Sequence, residues 1–194
     1  MITNRKIAEV AEKLNIDPII IKVVAQVESS GDGFLDTKEP KILFEPHLFW
    51  KNLQKKGIDP NKHTKGAEDI LYPKWGSKPY GKISVQHLRL KRAIAINREA
   101  ALESASWGKF QVLGQNWKDL GYTSLQEFVN EAYKDEDAHL DIFIRFIEKN
   151  NLTKFLRVLD WASFAKGYNG PGYKLNQYDT KMATLYKKLK EDDE

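Results

Sequence analysis

Apolar residues return at helical spacing from the first positions of the chain. Behind Thr3, a suitable N-cap, Ile7, Val10, Ala11 and Leu14 fall on one face, and Asn15 closes the segment. Asp17-Pro18 restarts the pattern, with Asp as cap and Pro at the first helical position. The strongly apolar run Ile19 to Val27 predicts a helix to about Ser29, broken by Gly31 and Gly33. Lys41 to Glu45 is short, apolar and bounded by Pro40 and Pro46, which predicts a strand or extended segment. Pro46 opens a helix from His47 to about Lys56, where Gly57 stops it.

From Ile58 to Gly81 the pattern lapses. Pro60, Gly66, Pro73, Gly76, Pro79 and Gly81 lie among lysines, with at most a short helical turn near Ala67 to Leu71. A loop of this length in a compact domain is functional or disordered. From Ser84 the helical period resumes, with Val85, Leu88 and Ala95 on the apolar face and Arg89, Lys91 and Arg92 turned outward. A break near Asn97 precedes a short helix to Leu102, and Glu103 to Gly114 fits no amphipathic period. Ser124-Leu-Gln-Glu127 is a capping box for a helix through Tyr133, and Asp135 opens another, striped by Leu140, Phe143, Ile144 and Ile147. Leu152 to Leu159 and Trp161 to Lys166 predict two short helices, and Gly167 to Gly172 a turn cluster. A last helix, about Asn176 to Lys190, buries Tyr178, Met182, Leu185 and Leu189, and the acidic tail Glu191 to Glu194 is expected to fray. The pattern describes one mostly helical domain over 1–194, with a small β element near residues 40–45.

Composition narrows the chemistry. The 194 residues are 41% hydrophobic and 30% charged, as in an ordinary globular protein, and contain no cysteine. Disulfides, thiolate metal sites and cysteine nucleophiles are therefore excluded. His47, His63, His87 and His139 show no ligand spacing, so no metal or other cofactor is expected. No phosphate-binding glycine loop and no nucleophile elbow occurs. No apolar run approaches the roughly 20 residues that span a bilayer, so no stable membrane insertion is expected. The net charge is only +4, but residues 51–98 hold twelve Lys and Arg against Asp59, Glu68 and Asp69. Such a stretch suits an anionic polymer, or is simply a solvated face.

Within this frame Gln26-Val-Glu-Ser-Ser-Gly31 stands out. Glu28 arrives at the end of the apolar helix, with small and polar residues after it. Partial burial and the negative end of the helix dipole both favour its protonated form. A carboxyl group that stays protonated near neutral pH is a general acid. The alternative is a helix-end glutamate directed into water. Two further stretches mix glycine, aromatic and amide residues where helical patterns break: Ser106-Trp-Gly-Lys-Phe-Gln111 and Ala165-Lys-Gly-Tyr168-Asn169-Gly170. Aromatic faces beside amides suit sugar rings, and glycine lets a ligand approach the backbone.

In this order the three stretches resemble the Glu-Ser, Gly-x-x-Gln and Ala-Tyr-Asn-type signature of the lysozyme-like superfamily, which includes goose-type lysozymes and soluble lytic transglycosylases. The closer resemblance is to the N-acetylmuramidase family of phage endolysins. It is carried by Val27 to Phe34, Ile42-Leu-Phe-Glu-Pro-His47, Arg89 to Ala93, Ala101 to Val112 and Phe164 to Tyr173, and extends over about residues 16–188. The resemblance implies a mostly α, lysozyme-like domain that cleaves the β-1,4 bond between N-acetylmuramic acid and N-acetylglucosamine in peptidoglycan. It implies Glu28 as the catalytic glutamate, and Gln111, Tyr168 and Asn169 match positions that line the sugar groove in lysozyme-like relatives; Ser29, Ser106 and Trp107, in the same stretches, are expected to bind substrate beside them. The expected partner is the glycan strand, bound by a monomer, and no nucleic acid. With no signal segment evident, the protein is expected to wait in the host cytoplasm until a membrane pore admits it to the wall. No separate wall-binding module is evident, which would leave wall targeting to the basic stretch.

A hydrolase also needs a second carboxylate across the sugar. Asp32, Asp36, Glu39, Glu45 and Glu103 are the candidates. Glu45, inside the Phe-Glu-Pro-His segment, is favoured, and is equally explained as a cap for the helix opened by Pro46 or a partner of His47. A lytic transglycosylase needs no second carboxylate, because the muramic acid 6-hydroxyl attacks. A non-catalytic wall-binding domain would keep the fold without turnover.

Overall fold

The computed structural model describes residues 1–29 and 31–192. In chain order the regular elements are α1 (Asn4–Leu14), α2 (Pro18–Glu28), β1 (Ile42–Phe44), α3 (Pro46–Lys55), α4 (Gln86–Ile96), α5 (Arg98–Glu103), β2 (Ala105–Trp107), β3 (Val112–Leu113), α6 (Leu125–Ala132), α7 (Glu136–Lys149), α8 (Thr153–Arg157), α9 (Trp161–Asn169) and α10 (Tyr178–Glu191). They gather into two compact units, 1–33 with 135–194, and 34–134. Among the described residues no helix is long and apolar enough to cross a membrane.

The helical unit is built on capped, one-sided helices. Thr3, Asp17, Asp135 and Asp160 each accept a backbone N–H of the helix they open, through side-chain oxygens. Each cap satisfies a donor the first turn cannot, worth about 1 kcal/mol. Asn15 takes the left-handed conformation (φ 52°) that ends α1, which short polar residues tolerate. Val10, Leu14, Val23, Val24, Leu140, Phe143, Ile147 and Phe164 are all buried, as the helical spacing requires. Thr3, Lys6 and Lys13 along α1 bond Asp137, Asp141 and Glu148 along α7 at 2.7–2.8 Å, so the two helices run side by side in the same direction.

Two expectations about this unit need correction. Helix α9 continues through Gly167 to Asn169, so Tyr168 and Asn169 stand on its last turn rather than in a turn cluster. Glycine is accommodated there by packing, since a Cβ on Gly167 would lie 2.4 Å from Leu152 Cδ2. In α10 only Met182 is fully buried, while Tyr178, Leu185 and Leu189 are half-buried. Of the acidic tail Glu191 to Glu194, expected to fray, Glu191 is the last residue of α10 and Asp192 its C-cap, while Asp193 and Glu194 lie outside the described residues.

The second unit holds an antiparallel sheet in the order β1-β2-β3, with Ile42 opposite Trp107, Phe44 opposite Ala105 and Ser106 opposite Leu113. The expected β element is present at β1, but its partner strands come from 105–113, where no regular period was legible. The β2–β3 turn works because Gly108 and Gln111 both take positive φ, 70° and 52°. The turn expected near Ala67 to Leu71 is not helical. Ile70 N–H bonds Ala67 O at 3.0 Å, and Ala67, Ile70, Leu71 and Tyr72 are buried, which anchors the long loop.

The face assigned to α4 is also corrected. Val85 and Leu88 are 38% and 62% exposed, whereas Gln86 and Arg89 are buried. Arg89 turns inward because its guanidinium finds acceptors there, the carbonyls of Tyr80 and Asp69, both at 2.5 Å. Gln86 Nε2 donates to the same Tyr80 carbonyl at 2.7 Å, and Gln86 Oε1 accepts from Phe44 N–H in β1. Buried polar groups are tolerated when satisfied in this way. Much of the basic charge of 51–98 is spent internally as well. Lys56 pairs with Glu99 and Glu103, Arg92 with Asp69, and Lys78 donates to the Glu68 carbonyl.

Candidate active site

Glu28 is the last residue of α2, and the chain leaves the helix at Ser29 in an extended conformation (φ −90°, ψ 138°). Its neighbour is Asn169, delivered by the last turn of α9. Asn169 Nδ2 donates to both carboxylate oxygens of Glu28, at 2.9 and 3.0 Å. Burial pushes the Glu28 carboxyl up to about 7, against the opposing effect of the Asn169 bond. Burial, one of the causes expected from sequence, therefore outweighs the Asn169 bond. The group is poised between its neutral and charged forms near pH 7, the range in which a carboxyl can serve as a general acid.

Tyr168 supplies the wall beside it. Its ring makes edge contacts with Phe143 and Phe146, at centroid distances of 5.1 and 5.6 Å, and lies parallel to Phe164 at 6.2 Å. Burial and the Glu28 carboxylate push the Tyr168 phenol well above its ordinary value, so it stays neutral. The loop after Glu28 is tied back by Gly33, whose N–H donates to Glu136 Oε1 at 2.7 Å. Glu28, Ser29, Tyr168 and Asn169 thus belong to one unit, and the hydrogen bonds from α9 to α2 join the first and third of the sequence stretches.

The remaining predicted residues lie in the sheet unit. Trp107 is 2% exposed, and its Nε1 donates to Leu102 O at 3.2 Å. With so little surface it offers no face for a sugar to stack on. Ser106 is likewise buried, in the middle strand of the sheet. Ser106 and Trp107 thus sit in the middle strand of the sheet, and Trp107 contributes only an edge to a pocket it shares with His87, Val129 and Tyr133. Gln111 is half-buried, and its Nε2 donates to Gly108 O at 2.7 Å and Lys41 O at 3.2 Å, bracing the β2–β3 turn against the start of β1.

Glu45 follows β1 and precedes Pro46. Its backbone N–H bonds Ser104 O at 2.9 Å; it holds the N-cap position of α3 through its backbone carbonyl, but its carboxylate makes no cap hydrogen bond. Instead Glu45 Oε2 accepts the Tyr80 hydroxyl at 3.1 Å and lies 3.7 Å from His47 Nε2. Burial lowers the His47 pKa, against the pull of Glu45 and with help from Lys51. Burial, then the Glu45 carboxylate, pushes the Tyr80 phenol above its ordinary value, so it remains a donor. Sequence reasoning missed Tyr80 and Gln86 and turned Arg89 outward, although Arg89 opens one of the segments that carry the family resemblance and Tyr80 lies in the long loop.

The other candidate carboxylates differ. Glu103 is engaged by Lys56 and Trp117 Nε1, Glu39 accepts the Thr37 hydroxyl and lies 3.8 Å from His87 Nδ1, and Asp32 and Asp36 are exposed. Among the described residues no group of His, Asp and Glu is placed to hold a metal ion.

A mostly helical fold with a small three-stranded sheet places the chain among lysozyme-like proteins. The sequence matches the N-acetylmuramidase family over residues 17–190, and the chain belongs to that family of peptidoglycan hydrolases. Among solved structures it is similar to the endolysin of Burkholderia AP3 phage, at 32% identity and a TM-score of 0.91, covering 98% of this chain and 72% of that one. No curated protein matches the chain. The expected family and the expected lysozyme-like fold are both borne out.

Proposed function

We propose that the chain is a phage endolysin that cleaves the β-1,4 bond between N-acetylmuramic acid and N-acetylglucosamine, with Glu28 as general acid. The observation that carries this is the state of Glu28, with a pKa near 7 set by burial and both oxygens oriented by Asn169. In this mechanism Glu28 gives its proton to the glycosidic oxygen as the bond lengthens toward an oxocarbenium-like state. Asn169 then steadies the carboxylate left behind, since its N–H bonds favour the charged form. Neutral Tyr168 contributes an apolar flank and no competing charge.

Glu45 serves as the second carboxylate, accepting a proton from water or attacking the sugar as the leaving group departs. Support comes from its side chain, which is oriented by Tyr80 rather than consumed by a cap. Mass spectrometry of sugars released from purified peptidoglycan tests the proposal. Reducing-end N-acetylmuramic acid is the expected product. A 1,6-anhydro end would replace hydrolysis by intramolecular attack and return Glu45 to a structural role. Folded protein that releases no fragment would leave only wall binding.

A further inference from the structure

Beside the end of α2 the helical unit carries a groove of about 520 Å³ lined by Gln26, Val27, Thr180, Lys181, Thr184, Leu185 and Lys188. Its course relative to Glu28 follows from the packing of α10 on α2. Lys190, at the end of α10, pairs with Asp17 at the start of α2 at 2.7 Å. The Tyr178 hydroxyl, at the start of α10, lies close enough to Tyr168 to influence its ionisation. Helix α10 therefore begins near the end of α2 that carries Glu28 and runs back along it. The groove starts one and two residues before Glu28, at Val27 and Gln26, and leads away along α10.

Its lining is chemically one-sided. Lys181 and Lys188 are cationic, Gln26, Thr180 and Thr184 offer amide and hydroxyl groups, Val27 and Leu185 are apolar, and among the described residues no carboxylate lines it. Seven residues of helix separate the two ammonium-bearing positions, which is roughly 10 Å along the axis. An extended peptide covers about the same distance in three residues. In peptidoglycan the lactyl arm of muramic acid carries a short peptide rich in alanine and bearing free carboxylates. A muramic acid bound beside Glu28 brings that anionic chain with it.

We infer that this groove is a subsite for the carboxylate-bearing peptide of the muramic acid next to the scissile bond, with Lys181 and Lys188 pairing its carboxylates. The inference rests on the muramidase function proposed above. Val27 and Leu185 receive alanine methyl groups, and Thr180, Thr184 and Gln26 bond the peptide amides. The groove thus selects peptide-bearing over bare glycan.

The test compares soluble glycan strands that bear their peptides with the same strands stripped by an amidase. Binding is measured with the Glu28→Gln protein, so that turnover does not intervene. Charge reversal, Lys181→Glu with Lys188→Glu, is expected to weaken binding to peptide-bearing strands about 3- to 10-fold, the range for two exposed ion pairs. Stripped strands should bind unchanged, the difference should shrink at high salt, and the Lys→Arg pair should restore it. Equal losses on both substrates, or no loss on either, would overturn the inference. If the reversed pair fails to fold by circular dichroism, Lys181→Gln with Lys188→Gln gives the same contrast at smaller amplitude. Wild-type release of reducing-end muramic acid, followed in parallel, reports separately on the muramidase function.

Discussion

Asn169 reaches Glu28 from 141 residues further along the chain, and its Nδ2 donates to both carboxylate oxygens, at 2.9 and 3.0 Å. The bond opposes the effect of burial on the same carboxyl, and burial prevails, leaving the group near 7. An amide that only donates here orients the acid without accepting its proton. The proton therefore remains available to the substrate.

Glu28→Gln keeps the shape and the Asn169 contact but removes the acid. Turnover should fall about 10²–10⁴-fold, the usual worth of a general acid, while binding to peptidoglycan persists. Reducing-end release and a sedimentation assay with cell walls measure the two quantities.

The carboxyl also sets a pH dependence. Because Glu28 must be protonated to act, kcat should fall as pH rises through about 7. Stability has the same sign. The folded-state pKa is raised above the ordinary carboxylate value, so the folded protein binds the proton more tightly, and stability declines as pH climbs from about 4.5 to 7. The loss amounts to at most ~3 kcal/mol, reduced by the partial exposure of the group. Thermal melts of Glu28→Gln against wild type should show a gain at pH 8 that vanishes toward pH 4.

Removing the amide should move that profile. Asn169→Ala deletes the interaction that lowers the Glu28 pKa, so the alkaline limb of the activity profile should shift to higher pH. The maximal rate should drop as well, because the carboxyl loses its orientation. An unshifted limb would show that Asn169 does not touch the titrating group during turnover.

In the sheet unit, Tyr80→Phe removes the hydroxyl from Glu45 and should lower kcat with little change in KM if Glu45 acts on the substrate. The global cost should be about 1–2 kcal/mol, as for a hydrogen bond to a charged group. Arg89→Ala should cost more, about 3 kcal/mol, because it strands two carbonyls in a partly buried setting. Urea unfolding of both variants gives the comparison.

Gly114→Ala probes the base of the β2–β3 hairpin. A Cβ there would lie 2.2 Å from the Leu102 carbonyl oxygen and 3.0 Å from Trp107 Nε1, the two ends of one hydrogen bond. Backbone cannot yield as a side-chain tip can, so the substitution should destabilise by about 1–3 kcal/mol in a thermal melt.

Local chemistry was legible from the order of residues alone. Thr3, Asp17, Ser124 and Asp135 mark helix starts because a short side-chain oxygen caps the first turn wherever the helix lies. Glu28 at a border between hydrocarbon and loop was legible for the same reason, and the family signature supplied Tyr168 and Asn169. Tertiary structure decided everything that depends on a distant partner. The strands β2 and β3 have two or three residues each, too short for a period, and exist because β1 pairs with β2 across some sixty residues of chain and β2 in turn with β3. Arg89 was assigned to solvent because charge is costly to bury, yet it lies inside because the carbonyls of Tyr80 and Asp69 meet its guanidinium. Trp107 was taken for a sugar platform and is core, since an aromatic beside a glycine looks the same in sequence whether the fold covers it or not. Glu28 became an acid near pH 7 only when the folded chain withdrew water from it and brought Asn169 to its two oxygens, because a pKa is a property of surroundings and not of a residue type.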